Sequence, residues 1–116
     1  MQKIMLDTNF ILSALKFRVK MPRGTLIIPS SVMKEIEKIA QNRSARGAEA
    51  RAALYFIEKN NMSAVLTRGS TDKAILNYAI ANNCAVATND RKLIKELKAN
   101  GIKVIRIRQK KYIVEE

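Results

Sequence analysis

The chain has 116 residues, of which 47% are hydrophobic and 28% charged, a composition typical of one globular domain rather than a disordered segment. Lysine and arginine number 22 against 10 acidic residues, so the formal net charge is +12 and polyanions such as nucleic acid or an anionic membrane surface are favoured partners. With no histidine and a single cysteine, the chain cannot use Ser-His or Cys-His catalysis, a histidine-ligated zinc or an internal disulfide.

Apolar strands and amphipathic helices are predicted to alternate from the first residues onward. In chain order, strands are predicted at residues 2–6, 25–28, 62–67, 84–88 and 102–107, and helices at 8–17, from Pro29-Ser30 onward, at 45–59, from 71 or 72 to about 82, and at 91–99. Asparagine or Asn-Gly pairs stand where three helices should stop, which predicts left-handed caps. The alternation predicts one α/β domain over residues 1–116, with a mostly parallel sheet of about five strands and helices on both faces.

A membrane location is not expected from this sequence. No apolar run approaches the roughly 20 residues of a membrane-spanning helix. The first apolar stretch is interrupted by Asp7 and Asn9, so a secretory signal is not predicted either. We therefore expect a cytoplasmic protein without a membrane partner.

The chain has only three aspartates, and each follows a hydrophobic strand: Asp7, Asp72 and Asp90. Residues just beyond the carboxyl ends of parallel strands converge on one crevice, which is where open α/β sheets bind their ligands. Three carboxylates gathered there would attract a divalent cation, and oxygen ligands suit Mg²⁺ or Mn²⁺. The pattern predicts an acidic metal site at this edge of the sheet.

Each aspartate also has a structural interpretation. Asp7 and Asp90 each precede a predicted helix and could act as its N-cap, although Thr8 offers an alternative cap for the first helix. Asp72 is expected at the head of the buried face of its helix, because Ile75 and Ala79 follow at helical spacing. A carboxylate in a first turn is also favoured by the helix dipole, so position alone does not separate the two interpretations for Asp72.

Four sequence blocks carry a family resemblance. Residues 5–12 (MLDTNFIL), 29–36 (PSSVMKEI), 69–75 (GSTDKAI) and 87–93 (ATNDRKL) resemble, in order, the motifs of PIN domains, a family of nucleases. The tail, residues 101–108 with Tyr112, is similar to the ribosomal-RNA-processing branch of that family and to compact archaeal PIN proteins. The resemblance covers nearly the whole chain.

The resemblance implies a PIN fold and metal-dependent cleavage of single-stranded RNA within the strand. The implied catalytic residues are Asp7, Glu35, Asp72 and Asp90. Of these, Asp7, Asp72 and Asp90 would hold one or two Mg²⁺ or Mn²⁺ ions, and Glu35 would bind metal or position water. Residues expected to orient the carboxylates or to contact substrate are Thr8, Asn9, Thr88 and Asn89.

This sequence departs from the fuller family pattern at two positions. Relatives often carry further carboxylates where Lys73 and Lys92 stand here, so one tightly held ion is an alternative to two. The two lysines could instead contact RNA phosphates. The residues expected to bind RNA are Arg43, Arg46, Lys73, Lys92, Arg106 and Arg108, with the last two on one strand face by their spacing.

Several functions remain open at this point. A ribonuclease of this kind could act in ribosomal RNA maturation, with a ribosome-assembly partner. It could instead be a toxin that an antitoxin protein inhibits. A homodimer is expected only by family analogy. The rivals are a non-catalytic RNA-binding module with a degraded metal site and a structure-specific DNA nuclease.

Overall fold

A computed structural model describes residues 2–116. Over these residues the strands are β1 (Lys3–Leu6), β2 (Thr25–Pro29), β3 (Ser63–Val65), β4 (Ala85–Ala87), β5 (Val104–Arg108) and β6 (Tyr112–Glu115). The helices are α1 (Thr8–Lys16), α2 (Ser30–Ala40), α3 (Ala45–Lys59), α4 (Thr71–Asn82) and α5 (Arg91–Ala99). None of the helices in this part of the chain is long and apolar enough to cross a membrane.

The six strands form one sheet in the order β3-β2-β1-β4-β5-β6. Every pairing is parallel except that of β5 with β6, which is antiparallel. The chain enters in the middle of the sheet, moves outward through β2 to β3, and then returns to place β4 on the other side of β1. The order of strands therefore reverses between β1 and β4, and such a switch point opens a crevice at the strands' carboxyl ends.

Helices cover both faces of the sheet, as right-handed crossovers require. The crossovers leading to β2 and β3 place α1, α2 and α3 on one face, where α3 packs against both α1 and α2. The return crossover places α4 on the opposite face, beside α5. Because β1 and β4 are covered on both sides, their residues are buried in succession, including Ile4, Met5, Leu6 and Val86.

The predicted fold class is confirmed, and its strand count needs correction. The sheet has six strands rather than about five, because residues 112–115 form an antiparallel edge strand that was not predicted. The turn before β6 places Gln109 and Lys110 in the left-handed region, at φ 55° and 56°. Neither is glycine, so the usual hairpin signal was missing.

The predicted helix ends agree closely with the structure. Asn61, Asn83 and Gly101 have positive φ, of 51°, 51° and 72°, where α3, α4 and α5 end. Asparagine and glycine tolerate this conformation better than other residues, which is why these pairs were informative.

Candidate active site

Two aspartates flank the switch point of the sheet. Asp7 directly follows β1, and its backbone N–H donates to the Ala87 carbonyl oxygen at 3.0 Å. Asp90 comes three residues after the end of β4. The pairing of β1 with β4 thus brings together two acids that are far apart in sequence.

Asp7 is a buried carboxylate, with only 7% of its surface exposed. Its Oδ1 accepts a hydrogen bond from the Thr8 backbone N–H at 2.8 Å, and its Oδ2 accepts one from the Thr88 hydroxyl at 2.8 Å. Burial raises the pKa of Asp7 above the ordinary 3.8, and the charges of Asp72 and Glu35 raise it further. The two hydrogen bonds act in the opposite direction by stabilising the charged form.

Asp7, rather than Thr8, is the N-cap of α1. Of the two candidate caps considered for this helix, Asp7 is the one used. The Thr8 hydroxyl is used elsewhere, donating to Oε2 of Glu35 at 2.8 Å. Capping and a role in the acidic site are thus combined in Asp7.

Glu35 lies on α2 and is exposed, but hydroxyl groups hold both of its oxygens. Thr8 donates to one of them, and the Thr71 hydroxyl at the start of α4 donates to the other. Glu35 therefore joins the helix that follows β1 to the helix that carries Asp72.

Asp72 lies in the first turn of α4 and is exposed. The expectation that it would head a buried face is wrong, because Ala74, Ile75 and Ala79 form that face without it. Loss of hydration raises the pKa of Asp72, followed by the charges of Asp90 and Glu35, while Lys92 lowers it. Asp72 is thus close enough to three other carboxylates, those of Asp90, Glu35 and Glu96, for their charges to affect its ionisation.

Asp90 is the N-cap of α5. Its Oδ1 accepts from the backbone N–H groups of Lys92 at 2.9 Å and Leu93 at 3.3 Å. Its own backbone N–H donates to the Thr88 hydroxyl at 3.1 Å. The capping interpretation of Asp90 is correct, and it involves only one oxygen of the carboxylate.

Three threonines connect the acids into one network. The hydroxyls of Thr71 and Thr8 each donate a hydrogen bond to Glu35. The Thr88 hydroxyl donates to Asp7 and accepts from the backbone N–H of Asp90. Thr8 and Thr88 were expected near the carboxylates, whereas Thr71 was missed. The signal for Thr71 was its position, since a threonine lies within two residues of each aspartate in this chain.

A second hydroxyl cluster fastens the loop that leads to α4. The Ser30 hydroxyl accepts from the Thr67 backbone N–H at 2.9 Å, and the Ser31 and Thr67 hydroxyls are 3.2 Å apart. These bonds tie the segment after β3 to the start of α2. They hold Asp72 near Glu35, although the two residues belong to different crossovers.

The two asparagines expected near substrate have different surroundings. Asn9 is exposed, and its Oδ1 accepts from Nη2 of Arg46 at 3.0 Å. Asn89 accepts a hydrogen bond from the Ile107 backbone N–H at 2.8 Å, so its side chain ties the loop after β4 to β5. The structure therefore gives Asn89 a bond within the fold.

The residues expected to bind RNA are distributed over several elements. Arg43, Lys73, Lys92 and Arg108 are exposed. Arg46 contacts Asn9 as described, and Nε of Arg106 lies 3.1 Å from Oε2 of Glu116. Lys73 and Lys92 each stand within two residues of an aspartate of the network.

The donor set at this edge suits a hard divalent cation. It consists of carboxylates and hydroxyls. Burial is the main cause of the raised pKa values of Asp7 and Asp72, and repulsion from neighbouring carboxylates, which a cation would relieve, adds to it. Within residues 2–116, no three acidic or cysteine side chains converge closely enough to ligate one ion together. The fit therefore rests on donor chemistry and charge.

Comparison with known proteins places these features in context. Residues 4–110 match a protein family described as PIN like domain. Ribonuclease VapC4 from Methanocaldococcus jannaschii is 35% identical to this chain, in an alignment that covers 97% of the chain and 95% of the relative. A solved domain of a functionally unknown protein from Methanocaldococcus jannaschii has a TM-score of 0.67 at 19% identity, covering 93% of this chain and 92% of that one, a likeness of fold alone.

Proposed function

Because the chain belongs to the PIN-like domain family, we propose that it is a ribonuclease that hydrolyses phosphodiester bonds of single-stranded RNA at the switch point between β1 and β4. The relative that is 35% identical over almost the full length of both chains is named a ribonuclease. The observation that carries the proposal is the network that joins Asp7, Glu35 and Asp90, with Asp72 in electrostatic contact.

The charge distribution supports this choice of site. Only 10 acidic residues occur in a chain of net charge +12, yet four of them interact at one edge of the sheet. Surrounding positive charge would draw RNA toward the protein without sequence preference. Acidic residues that interact at one edge of a basic protein are consistent with metal-dependent cleavage of a polyanion.

Asp7, Asp72 and Asp90 would provide the carboxylates for one or two Mg²⁺ or Mn²⁺ ions, although the three are not close enough together here to ligate a single ion. Glu35 would bind metal or position water. A bound ion supplies polarisation of the phosphodiester and an activated water. The threonines prepare the site, because the Thr88 hydroxyl and the Thr8 N–H favour the ionised form of Asp7 that a cation needs. Glu35 is held at both oxygens and is thereby oriented before substrate arrives.

We favour a toxin role over ribosomal RNA maturation, because the VapC name of the relative is that of the toxins of toxin–antitoxin pairs. On this proposal the partners are RNA and an antitoxin protein, and the protein acts in the cytoplasm, where both are found. A ribosome-assembly partner belongs to the alternative role. A homodimer is compatible with either.

The proposal is tested by cleavage of a labelled single-stranded RNA with Mn²⁺ or Mg²⁺ added. Glu35→Gln should reduce the rate by at least about a hundredfold, the loss of roughly 3 kcal/mol of transition-state stabilisation. Glu37→Gln is the matched control, since Glu37 is an exposed glutamate of the same helix outside the network. Equal rates for both variants would refute the assignment.

The same assay separates the rival functions. Cleavage of a matched DNA strand but not of RNA would identify a DNA nuclease. RNA binding with no cleavage by the wild type under either metal would favour the non-catalytic module, an outcome compatible with lysines at positions 73 and 92.

A further inference from the structure

A basic cleft lies between α5 and β5, beside the acidic edge but separate from it. Its volume is about 590 Å³. Neither the three carboxylates of the network nor that of Asp72 lines it. The polar residues that line it are Asn89, Arg91, Lys95, Lys98, Arg106 and Glu116.

One face of α5 supplies three of the four cations. Arg91, Lys95 and Lys98 are spaced four and three residues apart, which places them on one side of the helix. Leu93 and Leu97 are buried on another side, so the basic face is fixed toward the cleft. Successive cations are roughly 6 and 4.5 Å apart along the helix axis, at about 1.5 Å per residue. The three cations therefore form a row along the helix rather than a single point of charge.

An internal carboxylate already occupies part of the cleft. Oε2 of Glu116 lies 3.1 Å from Nε of Arg106 and 3.6 Å from Nζ of Lys98. The backbone holds this residue in place, since Glu116 and Val104 exchange two hydrogen bonds. The four cations exceed the single anion by three charges, so the cleft retains a strong preference for further anions.

The cleft begins where the acidic edge ends. Asn89 lines the cleft and immediately precedes Asp90, and its bond to the Ile107 N–H fixes β5 to the loop that carries that aspartate. A strand with one phosphate at the carboxylates would therefore have flanking phosphates within reach of α5.

We propose that this cleft binds the phosphates of the RNA that flank the cleaved bond, and that Glu116 competes with one of them for Arg106 and Lys98. The inference rests on the proposed ribonuclease function and adds a binding track to it. No aromatic side chain lines the cleft, so contacts with phosphate rather than base stacking determine affinity there. Continuity with the acidic edge favours RNA over an acidic peptide as the occupant.

The test measures binding of a labelled 12-residue oligouridylate by fluorescence anisotropy in EDTA, so that no cleavage is required. Lys95→Ala/Lys98→Ala should weaken binding roughly tenfold at about 0.1 M salt, and should lower the slope of log affinity against log salt by about 1.4 for two lost phosphate contacts. Lys38→Ala/Lys59→Ala is the control, because it removes the same charge from exposed sites on α2 and α3.

Removing the Glu116 carboxylate should change RNA affinity in the opposite direction to removing the lysines, which makes the test specific to the cleft. Glu116→Gln should tighten binding by roughly two- to fivefold at low salt, because the competing anion is removed. In the Lys95→Ala/Lys98→Ala background the gain should shrink, since Lys98 is one of the cations that Glu116 occupies.

Three outcomes would overturn the inference. Equal losses in the two double variants would show that only net charge matters. Unchanged affinity in Glu116→Gln would exclude competition. If Lys95→Ala/Lys98→Ala weakened the binding of poly-glutamate but not that of RNA, the cleft would be assigned to an acidic protein. The catalytic proposal is judged separately, because cleavage could fail while this binding persists, or succeed while the cleft variants bind normally.

Discussion

At Asp7, function and stability are expected to oppose each other. The unfolded-state pKa is near 3.8 and the folded-state pKa is higher, so the fold favours the protonated form. The resulting stability is fully present below the unfolded pKa and is lost as pH rises through the folded pKa. Asp7→Asn should therefore melt a few degrees higher than the wild type at pH 7 in EDTA. For a domain of this size, a change of about 1 kcal/mol in the free energy of unfolding shifts the melting temperature by roughly 4 °C. Near pH 3 the difference should vanish.

Calorimetry across that pH range checks this prediction, with RNA cleavage measured in parallel. Activity should be lost in the same variant that gains stability. A lower melting temperature for Asp7→Asn at pH 7 would show that its hydrogen bonds need the charge.

Thr88 is expected to lower the pKa of Asp7, against the larger and opposite effect of burial. Its hydroxyl is buried, donates to Asp7 and accepts from the Asp90 N–H. Thr88→Val keeps the shape but removes both bonds, so it should cost about 1–3 kcal/mol in urea unfolding. The acid limb of the pH–rate profile should also move to higher pH, because a bond that lowers the pKa of Asp7 is lost. Thr88→Ser should restore both properties, and a profile unchanged in Thr88→Val would contradict the assignment.

Asp90 caps α5 and has a proposed role in metal binding, and substitution can separate the two. Asn is as good an N-cap as Asp, whereas Ala provides no cap. Asp90→Asn should therefore unfold within about 0.5 kcal/mol of the wild type, while Asp90→Ala should lose about 1 kcal/mol. Both should lose cleavage if the carboxylate acts in the reaction. Full activity in Asp90→Asn would leave Asp90 with the capping role alone.

Residue types at the site were easier to predict than their surroundings. The three aspartates were selected as candidates by their scarcity and by the strands that precede them, and Glu35 by the family resemblance. The burial of Asp7, the exposure of Asp72 and the bond from Thr71 to Glu35 depend on side-chain placement across separate crossovers. Periodicity within one helix carries no information on such contacts, so the threonine network could not be read from the sequence.

At the scale of elements, the corner between α2 and α3 is expected to be intolerant of change. Gly47 lies in the first turn of α3, and a Cβ added there would stand 1.9 Å from the Asn42 carbonyl oxygen. Helix propensity alone predicts that Gly47→Ala gains about 1 kcal/mol. The clash predicts a loss of about 3 kcal/mol instead. Ala48→Gly, at an exposed neighbour, measures propensity without the clash, and urea unfolding of both variants decides the sign at Gly47.

The first and last residues of helices with clear capping residues were predicted correctly. The bounds of α3 and α5 agree with the prediction because Ser44 and Asp90 cap their starts and asparagines follow their ends. The family resemblance seen in four sequence blocks is confirmed by the match over residues 4–110. By contrast, β6 is fixed by pairing with β5, an interaction that the local sequence does not encode.

At the scale of the whole molecule, salt is expected to act on stability and on binding in opposite directions. The 22 cations form four ion pairs within residues 2–116, so most of the positive charge is uncompensated. Raising NaCl from about 20 to 300 mM should increase the melting temperature by screening this repulsion. The same change should weaken RNA binding by at least tenfold or so. A melting temperature that falls with salt would indicate that the ion pairs outweigh the repulsion.

The bond between Thr88 and Asp7 spans 81 residues, and its consequence extends to synthesis of the protein. While β4 is still within the ribosome, the emerged portion has Asp7 and Glu35 but neither Thr88 nor Asp90. Domains fold as units once their residues are free of the ribosome. A chain with the proposed activity would therefore stay inactive during synthesis until residues 88–90 had emerged and β4 had paired with β1.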